Sequence, residues 1–378
     1  MTARPPFHVM LKPSGAQCNL DCTYCFYLPR QEALGQPEAP RMDERVLEAH
    51  IRQYIAGQDA EAVVFSWQGG EPTLMGLDFF RRVVELQARH ARPGQRIEND
   101  LQTNGILLND EWARFLAENG FLVGLSADGP PELHDAMRRA RGGAPTAERV
   151  ARAAELLHRH AVPFHALCVV SRANARRPLD VYRYLRDRLQ PRKIQFIPCV
   201  ERRGGEAQPT EWSLRAEDWG YFLERVWQEW FGRDYGRVFV DAFENVIAQM
   251  FGFGAQTCVT SRRCGRALAL EHDGALYSCD HFVDAPHRLG SILEEDEAML
   301  VAGAQQQAFG AAKEEALTGH CRRCLHLELC WGDCPKHRFA RAPDGEPGLS
   351  HLCAGLKRFY GVAVAHRAEL ERRLARGG

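Results

Sequence analysis

The sequence predicts an α/β protein, a parallel sheet of alternating strands and helices followed by a cysteine-rich extension. Three observations carry that expectation. Between Phe7 and about Val200, short β-rich runs alternate with longer amphipathic segments. Strict alternation of this kind argues for parallel strands joined by right-handed crossovers. The triplet Cys18-Asn-Leu-Asp-Cys22-Thr-Tyr-Cys25 sits close behind the first apolar run. Of 13 cysteines in 378 residues, eight fall between Cys258 and Cys353.

The elements follow in order. Phe7 to Leu11 is the first strand, and Met42 to Ile55 the first helix, with Val46, Leu47, Ile51 and Ile55 at helical spacing and Asp43 and Glu44 at its start. Ala62–Trp67 and Leu77–Ala88 form the second pair, Ile97–Leu101 and Glu111–Glu118 the third. Phe121–Ser126 precedes the helix Thr146–His158, Phe164–Val170 precedes Leu179–Leu189, and Ile194–Ile197 is a sixth strand. The pattern alone leaves a closed eight-fold barrel and an open partial one equally admissible. Glu201–Thr210 is polar and glycine-rich, as a linker would be. Helices around Trp219–Trp230 and Phe239–Met250 follow, and their aromatic stripes read as core packing.

Length allows a large domain and a smaller one, and we place them at 1–235 and 236–378. Lys plus Arg (48) nearly cancels Asp plus Glu (49), which removes the electrostatic case for nucleic acid or a membrane surface. The start, Met-Thr-Ala-Arg-Pro-Pro-Phe, has no signal-peptide core, and no run approaches the ~18 apolar residues of a membrane span. A cytoplasmic protein is expected. In a reducing compartment, clustered cysteines hold metal or do catalysis more often than they form disulfides. Cys168 and Cys199 stand outside the clusters, where small buried thiols are the plain reading.

Three cysteines spaced C-x3-C-x2-C can hold three corners of a cubane iron–sulfur cluster and leave one iron open. Structural zinc asks for four protein ligands and fits this triplet poorly. With Tyr24 before the last cysteine and Phe26-Tyr27 after it, the motif resembles the radical S-adenosylmethionine enzymes. The resemblance implies a six-stranded partial barrel with S-adenosylmethionine chelated at the open iron. It also implies a deoxyadenosyl radical that takes a hydrogen atom from an unreactive carbon, the protein supplying placement.

In parallel sheets ligands gather at the carboxyl ends of the strands. Gln68-Gly69-Gly70-Glu71-Pro72 leaves the second strand and resembles the family's GGEP motif near the methionyl amino group; its glycines let backbone approach a ligand closely. Thr103-Asn104-Gly105 and Ser126-Ala127-Asp128-Gly129 end the next two strands and are also ordinary turn signals. The resemblance puts Ser126 near the ribose and methionyl part. Arg138, four residues after His134 and able to share its helical face, is the candidate for the methionyl carboxylate, with a solvated surface arginine as the plain alternative. By the same analogy Pro198-Cys199-Val200 lies near the adenine. Tyr24, Gly69, Gly70, Glu71, Ser126, Arg138 and Val200 are thus the expected cofactor contacts.

Further on, His272-Asp-Gly274-Ala reads as a hairpin turn between Cys264 and Cys279. Eight thiolates fit two fully ligated clusters, and two zinc sites fit the count equally well. The pattern resembles the SPASM extension of radical S-adenosylmethionine enzymes that modify peptides, with a C-terminal helix. That resemblance assigns Cys258, Cys264, Cys279 and Cys334 to a nearer auxiliary 4Fe-4S cluster, and Cys321, Cys324, Cys330 and Cys353 to an outer one. Three clusters in all are then expected. Asp280, in Tyr-Ser-Cys279-Asp-His-Phe, stands where anaerobic sulfatase-maturating enzymes have their general base, and the wording from Cys279 to Val283 and at Leu289-Gly-Ser-Ile resembles that subgroup.

The expected reaction is oxidation of a sulfatase cysteine, or serine, to Cα-formylglycine without oxygen. The alternative within the family is a peptide maturase forming thioether or carbon–carbon crosslinks, since fold does not select reaction. A zinc-bearing scaffold without redox chemistry is the alternative from another class. Expected partners are a sulfatase polypeptide and a flavodoxin or ferredoxin-type electron donor, with no nucleic acid or membrane, and the chain is expected to be a monomer.

Overall fold

The computed structural model describes residues 6–202 and 208–375. The extreme N-terminus read for a signal segment, and the middle of the expected linker Glu201–Thr210, lie outside the described residues. The strands that position the site are β1 (His8–Lys12), β2 (Ala62–Trp67), β3 (Arg96–Thr103), β4 (Leu122–Ser126), β5 (Phe164–Val170), β6 (Lys193–Pro198), β7 (Phe239–Val240), β8 (Ala267–Glu271), β9 (Ala275–Tyr277) and β10 (Arg288–Ser291). All six strands expected before residue 200 are present, with ends within two or three residues of expectation.

Two compact units interleave along the chain. The first takes the described residues up to Ser126, then Arg138–Phe164 and Gly265–Gly310; the second takes Ala127–Met137, His165–Cys264 and the described residues from Ala311. In the first, strands run in the order β10-β9-β8-β1-β2-β3-β4. β8 through β4 are mutually parallel, and β8, β9 and β10 pair antiparallel. Val63, Phe65 and Trp67 of β2 alternate into the core, as the two-residue period requires. Helix Glu44–Gly57 starts where Asp43 accepts the amide of Val46 at 2.8 Å, and its apolar stripe buries Val46, Leu47, Ile51 and Ile55.

Sequence reading had not placed β8 beside β1. Their register runs from His8 opposite Ala267 to Lys12 opposite Glu271. Non-local parallel pairing leaves no mark in local periodicity, whereas the hairpin at His272–Ala275 does and is found between β8 and β9.

In the second unit β5, β6 and β7 are parallel neighbours. Helices Ala216–Arg233 and Cys353–Ala365 cross so closely that a Cβ on Gly355 would lie 1.9 Å from the carbonyl oxygen of Ala216. Trp227, Trp230, Phe243 and Phe359 pack into one buried aromatic cluster, so the stripes are core. The expected helix Leu179–Leu189 divides into an α-helix Pro178–Arg183 and a π-helical turn Tyr184–Leu189, a change of hydrogen-bond register that side-chain periodicity does not report. Cys168 and Cys199 are buried, as expected of plain core thiols. Among the described residues no helix is long and apolar enough to cross a membrane.

Candidate active site and cluster sites

Cys18, Cys22 and Cys25 lie on the loop after β1, and backbone shapes this loop. Cys25 N–H donates to Cys22 O at 3.0 Å, while the amides of Leu20 and Leu28 point at the sulfurs of Cys18 and Cys25, each at 3.4 Å. Amides aimed at sulfur favour the thiolate. At Cys18 the opposite influence wins: burial, then the Glu71 charge, push the thiol up to about 12. A ligating metal deprotonates such a thiol outright, so this donor set fits an iron–sulfur cluster held at three corners.

The strand-end motifs pin the loop. Gly70 N–H donates to Gly15 O at 2.9 Å and Glu71 N–H to Gln17 O at 2.8 Å. A Cβ on Gly70 would sit 1.9 Å from Gln17 O, so the close approach made at this glycine is to the cysteine loop itself. Glu71 is 1% exposed. One carboxylate oxygen accepts Thr73 N (3.1 Å), Thr73 Oγ1 (2.6 Å) and Thr103 Oγ1 (2.8 Å); the other accepts Asn104 N at 2.8 Å. Asn104 Nδ2 in turn donates to Asn19 Oδ1 at 2.7 Å and lies 3.8 Å from Cys18 Sγ. Glu71 therefore joins the ends of β2 and β3 to the cysteine loop.

Asp280 follows Cys279 in a tight turn bridged to Phe282. Its carboxylate forms an ion pair with the ammonium of Lys12, whose side chain is 3% exposed against 15% for Asp280. Lys12 Nζ also lies 4.7 Å over the ring of Tyr27, whose hydroxyl donates to Glu271. Gln36 Nε2 holds the other Glu271 oxygen at 2.8 Å. Burial, then the charges of Glu271 and Asp280, hold the Tyr27 hydroxyl well above its ordinary range. The register of β1 on β8 is what sets Lys12 opposite Glu271.

Helix Pro131–Met137 ends before Arg138, so Arg138 does not share a helical face with His134. Nor is it a solvated surface residue: it is 8% exposed, with its guanidinium 5.4 Å over the ring of Tyr24. Beyond the helix, Arg139 is bridged to Pro145. Ser126 Oγ accepts Gln102 Nε2 at 3.0 Å. Val200 is buried within the second unit.

In that unit Cys321, Cys324, Cys330 and Cys353 line one pocket with Leu327 and Tyr360. The chain reaches this arrangement through consecutive left-handed residues, Trp331 (φ 45°), Gly332 (φ 71°) and Asp333 (φ 64°). A Cβ on Gly332 would also lie 2.5 Å from Leu317, so only glycine fits there. Burial first, then the Asp333 carboxylate, push the thiols of Cys330 and Cys334 up to about 12, and burial pushes Cys353 to about 11. Four thiols lining one pocket, Cys321 buried and the others partly so, suit a fully ligated cluster. Cys258, Cys264 and Cys334 act electrostatically on one another in the same unit, and Cys279 belongs to the first unit. Among the described residues no group of three or more His, Cys, Asp or Glu side chains is placed to hold a single metal ion.

Residues 13–185 match the radical SAM superfamily, and residues 258–325 match SPASM, an iron–sulfur cluster-binding domain. A serine-type anaerobic sulfatase-maturating enzyme of Bacteroides thetaiotaomicron is 38% identical, the match spanning 94% of this chain and 89% of that protein. This chain belongs to the anaerobic sulfatase-maturating enzymes. A cysteine-type enzyme of Clostridium perfringens is 34% identical over 95% of this chain and 96% of its own. The solved structure of native anSMEcpe with bound AdoMet and Cp18Cys peptide is similar at a TM-score of 0.88 and 32% identity, over 98% of this chain and 100% of that one. An anaerobic sulfatase-maturating enzyme is a radical SAM enzyme with a partial-barrel α/β fold and a SPASM extension, and it uses 4Fe-4S clusters and S-adenosylmethionine.

Sequence reading missed Lys12, Tyr27 and Glu271 around Asp280, and Asn19 and Asn104 beside Cys18. A lysine ending an apolar strand, immediately before Pro13, was the available signal for the first. Lys313 and Arg338, close to the second unit's cysteines, carried no motif at all.

Proposed function

We propose that this chain oxidises a cysteine or serine of a sulfatase polypeptide to Cα-formylglycine without oxygen, with Asp280 as the base. The carrying observation is Asp280 itself, next to Cys279 and ion-paired with a buried lysine, in a chain alike along 94% and 95% of its length to a serine-type and a cysteine-type enzyme. When bound, S-adenosylmethionine and the clusters supply a radical that removes a substrate hydrogen atom and a path for the remaining electron. Cys18, Cys22 and Cys25 would hold the first cluster. Cys258, Cys264, Cys279 and Cys334 would hold the nearer auxiliary cluster, and Cys321, Cys324, Cys330 and Cys353 the outer one.

The protein's own part is proton handling and placement. Asp280 takes the proton of the substrate thiol or hydroxyl. Lys12, almost fully enclosed, holds the Asp280 carboxylate; Tyr27 lies under the lysine and is itself held through Glu271 and Gln36. Tyr24, Gly69, Gly70, Glu71, Ser126, Arg138 and Val200 are proposed around the S-adenosylmethionine site. Arg138 offers a two-pronged match to its carboxylate, and Glu71 acts through the loop it braces. We further propose functional domains at 1–235 and 236–378, a monomer, a cytoplasmic location, and a flavodoxin or ferredoxin-type electron donor.

The test is Asp280→Asn, assayed anaerobically. Full iron content and reductive cleavage of S-adenosylmethionine with most aldehyde formation lost is the expected result. Aldehyde formation at the parent rate would remove Asp280 from the role of base.

A further inference from the structure

Two cations in the second unit, Lys313 buried and Arg338 partly buried, lack the carboxylate partner that enclosed cations normally have. Lys313 is 1% exposed, and its ammonium donates to Cys258 O at 2.8 Å and Val259 O at 2.7 Å. Arg338 spends its guanidinium on four backbone carbonyls: Gly332 (2.8 Å), Lys313 (2.6 Å), Trp331 (2.6 Å) and Asp333 (3.3 Å). Among the described residues, neither forms an ion pair with a carboxylate. The nearby Asp333 carboxylate is bonded instead to His337 Nδ1 at 2.8 Å and Ser350 Oγ at 2.7 Å.

A buried charge without a compensating partner is strongly disfavoured. Besides Asp333, the negative groups that act on the two cations are cysteine thiolates. Cys264, then Asp333 and Cys258, act on Lys313; after Asp333, Cys321, Cys264 and Cys330 act on Arg338. Arg338 is thus under the influence of cysteines from both auxiliary sets, and the chain runs from Cys330 and Cys334 directly into it. The carbonyls around both cations orient them without neutralising them. A cubane held by four thiolates carries net negative charge, and that charge grows when an electron is added. Fixed positive charge beside it favours the added electron, one of the means by which a protein sets cluster potential.

We propose that Lys313 and Arg338 are the built-in counter-charges of the SPASM clusters and make those clusters easier to reduce, Lys313 acting on the nearer and Arg338 on both. The proposal rests on the cysteines being cluster ligands, and the test separates the two ideas. Both residues are positioning residues, since neither is argued to touch substrate.

The experiment is an anaerobic dithionite titration, with mediator dyes and electron paramagnetic resonance readout, of the full chain. Cys18, Cys22 and Cys25 are replaced by alanine so that only the auxiliary clusters report. Arg338→Gln is expected to make reduction at least tenfold less favourable, a shift of about 59 mV to more negative potential for one electron. Lys313→Gln should do the same for one cluster only, and Arg338→Lys should stay close to the parent. Unchanged potentials in Arg338→Gln and Lys313→Gln at full iron content would overturn the proposal. If Arg338→Gln loses iron, Lys313→Gln decides alone. Loss of iron in Arg338→Lys as well as Arg338→Gln would make the guanidinium a packing element and end its part. A parent binding no iron at these cysteines would defeat the cluster reading itself.

Discussion

Glu71→Gln tests how the cysteine loop is held. The carboxylate accepts three hydrogen bonds on one oxygen and the Asn104 amide on the other. Glutamine keeps a single oxygen. If that oxygen serves Thr73 and Thr103, the new NH2 faces the Asn104 N–H, and two buried donors oppose each other. Each unsatisfied buried group costs about 1–3 kcal/mol. Burial also opposes the native carboxylate and raises its pKa above the ordinary carboxylate value, and the neutral amide recovers part of that cost. The net loss is about 2 kcal/mol, felt where Asn104 holds Asn19 beside Cys18. Hydrogen exchange in peptides spanning residues 14–28 and 102–106 should accelerate about thirty-fold, the equivalent of that energy. Exchange at the parent rate in both peptides would refute the brace. Faster exchange only at 102–106 would break the link from Asn104 to the loop.

Lys12→Met should keep iron and S-adenosylmethionine cleavage but lower the rate of aldehyde formation at saturating peptide at least tenfold. Breaking a buried ion pair from one side costs about 3–5 kcal/mol, so a lower melting temperature should accompany it, and Lys12→Arg should recover part of the rate. Asp280→Asn should depress serine peptides more than cysteine peptides, because a hydroxyl is a far weaker acid than a thiol; equal losses would contradict a proton-abstracting role. Asp100 supplies a pH dependence: burial raises its carboxyl to about 6, partly opposed by the hydrogen bond from Ser66 at 2.6 Å. The folded chain then holds a proton that the unfolded chain releases. This contribution is fully present below the ordinary carboxyl value and disappears as pH climbs through about 6, amounting to at most about 3 kcal/mol. In Asp100→Asn that part of the slope should vanish from melting curves taken between about pH 4 and pH 7.

What the sequence disclosed followed from local chemistry. The strand–helix alternation, the helix stripe Val46–Ile55 and the turn His272–Ala275 are short-range patterns, and each is found where expected. The family resemblance grouped Cys321, Cys324, Cys330 and Cys353, and these four line one pocket. Pairing between distant segments stayed hidden. β8 lies parallel to β1, and only that register brings Lys12 to Glu271, with Tyr27 and Asp280 gathered around the lysine. Arg138 shows the reverse error, since its spacing from His134 suggested a helical face although the helix ends one residue before it. Lys313 and Arg338 are unremarkable in sequence because what marks them is that neither has an ion-paired carboxylate among the described residues, a property of packing alone.

The most direct measurement is the mass of the product. Reconstituted enzyme, S-adenosylmethionine and a reductant are mixed anaerobically with a Cys-x-Pro-x-Arg peptide and its serine counterpart. The account predicts replacement of the thiol by an aldehyde in the first, or loss of two hydrogens in the second, with hydrazine trapping the product. Cleavage of S-adenosylmethionine with both peptides unchanged would contradict sulfatase maturation while leaving the radical enzyme intact.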